Sequence, residues 1–146
     1  MTLAIHNTTT WPEEKLLAYG REITAAMRKF VERFPREVTI QYLAQEIIAG
    51  KKQLWLIMDG ERFVSFVLTE IQTNDATGAK TLLIPSFAGD EGTSTVPLIV
   101  ELENWGIENG CTEARTLGRK GWTKPMAEQG YRMDAVLFRK PLERAA

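Results

Sequence analysis

The sequence is poor in the residues that carry redox and metal chemistry. It holds one cysteine, Cys111, and one histidine, His6, in 146 residues. A single cysteine excludes a disulfide framework and a cysteine metal cluster within one chain, and it fits a reducing cytoplasm. No His/Cys/Asp group has metal-ligand spacing, and no Gly-x-Ser-x-Gly nucleophile motif is present. No apolar run approaches the roughly 18 residues of a membrane span. The N-terminus lacks a basic segment followed by an apolar one, so no secretory signal is expected. Repeats and low-complexity tracts are absent. Net charge is −1, which argues for no bulk electrostatic partner. Cys111, after Asn109-Gly110, reads as a small apolar residue at a helix-to-strand turn, and His6 reads as a residue without a catalytic role.

What is present suits one domain over residues 1–146. The chain is 44% hydrophobic and 25% charged, ordinary for a globular protein long enough to bury a core. Thr2 to Ile5 is a short first strand. Thr8-Thr9-Thr10-Trp11-Pro12-Glu13-Glu14 opens a helix. Leu16, Leu17, Ile23, Met27, Phe30 and Val31 carry it to about Arg33 at spacings near 3.6, and Pro35 ends it. A second helix spans about Arg36 to Ala49, closed by Gly50. Leu54–Met58 and Phe63–Thr69 are strands joined at Asp59-Gly60. Asn74–Gly78 turns into a third strand, Thr81–Ala88, where Pro85 implies an edge or a bulge. A loop follows, then a helix from about Val96 to Glu108, and a strand, Thr112–Leu117, whose crossover makes it parallel to its neighbour. A short helix after Arg119 is capped by Gly130, and Tyr131–Phe138 forms a last strand. The fold class is α+β, with a mostly antiparallel central sheet.

That order resembles the Gcn5-related N-acetyltransferases (GNAT): two N-terminal helices, a three-stranded meander, a loop and crossover helix, a strand, and a short helix ending in Gly130-Tyr131. The piece Gly118-Arg119-Lys120-Gly121-Trp122 resembles small GNAT-like proteins of tailed-phage and prophage genomes. The resemblance implies acetyl-CoA as the acyl donor, no metal, and an amine on a small molecule or protein as acceptor. It implies a cytoplasmic protein, or one in the host cytoplasm or virion where a phage encodes it.

The family's coenzyme loop falls on Asp90-Glu91-Gly92-Thr93-Ser94-Thr95. A small-residue loop feeding a helix presents backbone N–H groups to a pyrophosphate. The resemblance therefore assigns coenzyme contacts to Phe87, Ala88, Gly89, Gly92, Thr93, Ser94, Thr95 and Arg119. The N–H groups of Phe87 to Gly89 would polarise the thioester carbonyl. Asp90 stands where the family has a cation or amide, and no Lys or Arg lies between Lys80 and Arg115. The family's tyrosine acid is replaced by Met126, which cannot donate a proton. Tyr131 is the aromatic hydroxyl left nearby, and Glu70 is the candidate general base. Each also has a plainer reading, Tyr131 as packing and Glu70 as a solvated strand residue.

Charge is unevenly distributed. Residues 111 to 146 hold 8 basic and 4 acidic residues. Arg115, Arg119, Lys120 and Lys124 surround Trp122 and offer a surface for an acidic or nucleic-acid partner, or a solvated helix face. Two functions are therefore expected in competition. One is an acetyl-CoA-dependent N-acetyltransferase. The other is a GNAT-fold binding or structural module without the chemistry, phage-associated in keeping with that resemblance.

Overall fold

A computed structural model describes residues 2–86, 93–117 and 120–144. Five strands form one sheet in the order β1 (Leu3–Asn7), β2 (Gln53–Asp59), β3 (Arg62–Thr73), β4 (Lys80–Ser86) and β5 (Glu113–Thr116). The first three junctions are antiparallel and β4–β5 is parallel. The helices are α1 (Glu13–Leu17), α2 (Gly20–Arg33), α3 (Ile40–Ile48), α4 (Ile99–Glu108) and α5 (Thr123–Glu128).

The central strands are apolar on both faces because both faces are covered. In β2, Leu54, Leu56 and Met58 join Phe66 and Leu68 of β3 beneath α2 and α3, around Ile23, Met27 and Leu43. The alternate residues Trp55 and Ile57 join Val67, Leu82 and Ile84 on the other face, around Ile99 and Leu102 of α4 and Met126 of α5. Period-two alternation thus feeds two cores, and the chain reads as a three-layer sandwich. Among the described residues no helix is long and apolar enough to cross a membrane.

Several elements depart from the sequence reading. The first helix is two: α1 stops at Leu17 and α2 starts at Gly20. Between them, Tyr19 reaches across to donate its hydroxyl to the Glu61 carbonyl at 3.1 Å, which fixes the chain at the β2–β3 hairpin. The threonines expected to cap that helix do other work. Thr8 is buried and donates to the Leu54 carbonyl at 2.7 Å, so it ties β1 to β2. The second helix begins at Ile40 rather than Arg36, because Thr39 accepts the Tyr42 N–H at 3.1 Å and supplies the cap. The helix expected from Val96 opens as a 3-10 turn, Thr93–Leu98, with Pro97 inside it. The short helix likewise opens with a 3-10 turn, Lys120–Trp122. Residues 131–138 form no strand. A strand exists only where its backbone meets a second one, and among the described residues this tail pairs with none. Phe138 is 91% exposed, and Arg139 ties the tail instead to Glu37, with Nη1 donating to Oε1 at 2.6 Å.

Candidate functional site

The geometry of interest lies at the C-terminal end of β4. Its parallel ladder with β5 runs from Thr81 opposite Glu113 to Ile84 opposite Thr116. There the Thr116 hydroxyl donates to the Ile84 carbonyl at 2.9 Å, and β5 ends. β4 continues through Pro85 to Ser86, which pairs with Leu68 of β3. Opposite, β3 steps from Leu68 to Glu70 while β4 steps from Ser86 to Leu83. The extra residue is a bulge at Ile84–Pro85, as the proline implied, since it has no N–H for the ladder. The result is a strand end held on one side only. Among the described residues nothing in the sheet pairs with the β5-facing edge of Pro85–Ser86. Leu117, at the lip, is 79% exposed.

A buried polar relay braces this end. Trp55 Nε1 donates to Thr69 Oγ1 at 2.9 Å, and Thr69 donates to Gln53 Oε1 at 2.9 Å. Trp105 of α4 meets Trp55 edge-on at 5.8 Å. Thr69 is fully buried and lies between Leu68 and Glu70 at the bulge. The sequence signal for it was a tryptophan in an apolar strand, whose N–H requires an acceptor.

The expected site residues scatter. Phe87, Ala88, Gly89, Gly92 and Arg119 lie outside the described residues, as do Asp90 and Glu91. Thr93, Ser94 and Thr95 fall in the 3-10 turn before α4 rather than at an α-helical N-terminus. Thr95 is fully buried. Met126, at the position of the family's acid, is a core residue on α5.

Glu70 and Tyr131 sit on opposite faces of the sheet. Glu70 shares the α3 face with Phe66 and Leu68. Its carboxylate takes a hydrogen bond from Lys52 Nζ at 3.3 Å. Lys52 is also 3.7 Å from Glu46, and its side chain is only 10% exposed. The Tyr42 hydroxyl donates to Glu46 at 3.0 Å, which raises the tyrosine pKa. Tyr131 packs instead against the core under α4 and α5. Its hydroxyl is sealed from solvent and, among the described residues, makes no hydrogen bond of proper geometry. Burial first, and then the neighbouring Glu103 carboxylate, push its pKa well above 10. Glu70 and Tyr131 are therefore not brought together as base and acid.

Of the basic cluster, Arg115 is bound by the Glu113 carboxylate, which raises its pKa further, while Lys124 is exposed. Among the described residues no three His, Cys, Asp or Glu side chains converge on a metal-sized point. Two depressions, about 300 Å³ beside Pro35–Thr39 and about 270 Å³ beside Gln72–Asp75 and Arg115, lie away from the end of β4.

This α+β architecture has counterparts of known structure. A ribosomal-protein-alanine N-acetyltransferase from Brucella melitensis superposes with a TM-score of 0.67 at 11% identity, covering 99% of this chain and all of the other. The fold is that of the GNAT acetyltransferases. An aminoglycoside acetyltransferase from an uncultured soil metagenomic sample gives 0.68 at 11% identity, over 98% of this chain and 100% of that one. Glucosamine-6-phosphate N-acetyltransferase from Arabidopsis thaliana gives 0.64 at 10%, again over 98% and 100%. No protein-family model matches the sequence, and no curated protein matches it. The GNAT likeness is thus one of architecture, spread over nearly the whole chain.

Proposed function

We propose that this protein is an acetyl-CoA-dependent N-acetyltransferase acting on an amine of a small molecule or protein. The observation that carries the reading is the end of β4, which outlasts β5 by two residues where the sheet changes from antiparallel to parallel. In open α/β sheets ligands sit in the crevice beyond the carboxyl ends of parallel strands, and the ends of β4 and β5 offer such a place. An unpaired strand edge can take up an extended, amide-bearing chain by backbone hydrogen bonds. The described residues suit the acyl arm of acetyl-CoA in this way. The loop toward its pyrophosphate carries Asp90 and Glu91 in place of a cation, and two carboxylates would oppose that charge by roughly 1 kcal/mol each at surface dielectric.

In the reaction the amine nitrogen bonds to the acyl carbon and the carbon–sulfur bond breaks. The sulfur leaves as thiolate, and the amine sheds a proton. Glu70 lies two residues along β3 from Leu68, the partner of Ser86. We assign it to remove that proton, through water, from its seat beside Lys52. Tyr131, sealed in the core, supplies no proton to the thiolate, which takes one from solvent. Holding the two reactants together supplies much of the rate.

The sealed Tyr131 hydroxyl and the buried Met126 favour one alternative, a GNAT-fold binding module without transfer chemistry. An assay of thiol release from acetyl-CoA separates the two. Polyamines, aminosugars and peptides with free N-termini serve as acceptors. Release above the uncatalysed rate with one of these classes is expected. Absence of release with all of them would favour the binding module.

A further inference from the structure

We propose that Lys52 is a positioning residue for the transfer reaction: clamped by α3, it holds the Glu70 carboxylate in the place from which it takes the proton of the amine. The inference rests on the reading of Glu70 as the base. Lys52 stands between the end of α3 and the start of β2. β2 begins at Gln53, opposite Thr69 of β3. The next step of that antiparallel ladder sets Lys52 beside Glu70, where Nζ donates to Glu70 Oε2 at 3.3 Å. A surface lysine gains little from such a pair, because its long stem is free and water screens the charges. Lys52 differs on both counts. Its side chain is 10% exposed, beside 16% for Glu46 and 33% for Glu70.

Three contacts with α3 restrain it. The Lys52 N–H donates to the Glu46 carbonyl at 3.2 Å, and the Lys51 N–H donates to the same oxygen at 2.9 Å. These bonds close the helix end and fix the root of the side chain. The Glu46 carboxylate lies 3.7 Å from Lys52 Nζ. It is itself held by the Tyr42 hydroxyl at 3.0 Å and by Lys51 at 3.9 Å. The Tyr42 ring stands 5.6 Å from Lys52 Nζ, within cation–π range. The cation that reaches Glu70 is therefore anchored at its root and at its head. On the other side of Glu70, the cross-strand neighbour on β4 is the apolar Leu83, which offers it no charge. The bond to Lys52 takes Oε2, and Oε1 is left to accept from the water that relays the proton. Misplacing a reacting group by about 1 Å can cost about 10²-fold in rate, so a fixed carboxylate has catalytic value.

A kinetic double-mutant cycle on the full chain tests it, read as thiol release from acetyl-CoA. Lys52→Met keeps the apolar stem and removes the cation. With Glu70 in place it should lower kcat about tenfold or more, with KM for acetyl-CoA within about twofold. Combined with Glu70→Gln, where the base is already gone, the same change should alter kcat by about twofold or less. Glu46→Gln loosens Lys52 without removing it. Its own cycle should show a smaller loss that also disappears beside Glu70→Gln, and it serves if thermal melts show that Lys52→Met does not fold. Equal losses with and without Glu70 would overturn the proposal, since Lys52 would then only support the fold. An unaltered kcat in Lys52→Met, with Glu70→Gln impaired, would overturn it and leave Glu70 as the base. An unimpaired Glu70→Gln would instead remove Glu70 as the base, and the proposal with it.

Discussion

Trp55, Thr69 and Gln53 form the polar thread on which the β4 end rests. Thr69→Val keeps the shape of the side chain but removes the acceptor for Trp55 Nε1 and the donor to Gln53. A buried donor left without a partner costs about 1–3 kcal/mol, and chemical denaturation should show a loss of that size. Tyr131→Phe should behave differently. Among the described residues the hydroxyl finds no hydrogen-bond partner of proper geometry, so its removal should cost little stability at neutral pH. The pH dependence has a definite sign. Burial raises the folded-state pKa above its ordinary value of 10.0. The stability linked to the neutral hydroxyl is therefore complete below that pH and is lost as pH rises through the alkaline range above it. Tyr131→Phe should flatten that alkaline loss, as read from denaturation midpoints on either side of the transition. Turnover of the variant should be unchanged if Tyr131 only packs. For Glu70, replacement by Gln keeps a polar group near Lys52 and removes the base. A fall in kcat of about 10²-fold or more, with acetyl-CoA affinity preserved, is expected of a general base. A fall of only a few-fold would leave Glu70 as an ion-pair partner of Lys52.

Among the elements, α3 shows how a single cap sets a boundary. The apolar stripe of this helix is legible from Val38 to Ile48, yet its first residue is fixed by Thr39 and its bond to the Tyr42 N–H. Thr39→Ala should cost about 1 kcal/mol, measurable by urea unfolding. The meander was readable because each turn carried its own chemistry. Gly60 and Gly78 adopt positive φ of 61° and 75°, and the Asn74 side chain accepts the N–H groups of Ala76 and Thr77. The bulge was readable from Pro85 for the same reason. The break at Ala18–Tyr19 was not, because the bond from Tyr19 to Glu61 spans 42 residues and leaves no periodic trace. The tail Tyr131–Phe138 has strand composition, but composition cannot supply a neighbouring edge. The 3-10 opening of α4 was hidden because Thr93, Ser94 and Thr95 suit a cap and a tight turn equally well. Of the candidate site, the strand end was legible through Pro85 and the crossover. The opposition of Glu70 and Tyr131 across the sheet was not, since it depends on register through the bulges.

For the whole molecule, two cores on either side of one sheet account for the fold, and the change of strand direction at β4 leaves the strand end proposed as the site. GNAT proteins with similar coordinates are named for a ribosomal-protein alanine, an aminoglycoside and glucosamine 6-phosphate. The architecture therefore carries no acceptor identity, and that must come from side chains and assays. The proposed reaction requires that the end of β4 take up the acyl donor. Isothermal titration with acetyl-CoA, paired with a thermal melt, tests this most directly. Saturable binding at one site per chain is expected, with stabilisation of about 2.7 kcal/mol at a hundredfold excess over the dissociation constant. No heat of binding and no thermal shift at millimolar acetyl-CoA would contradict it.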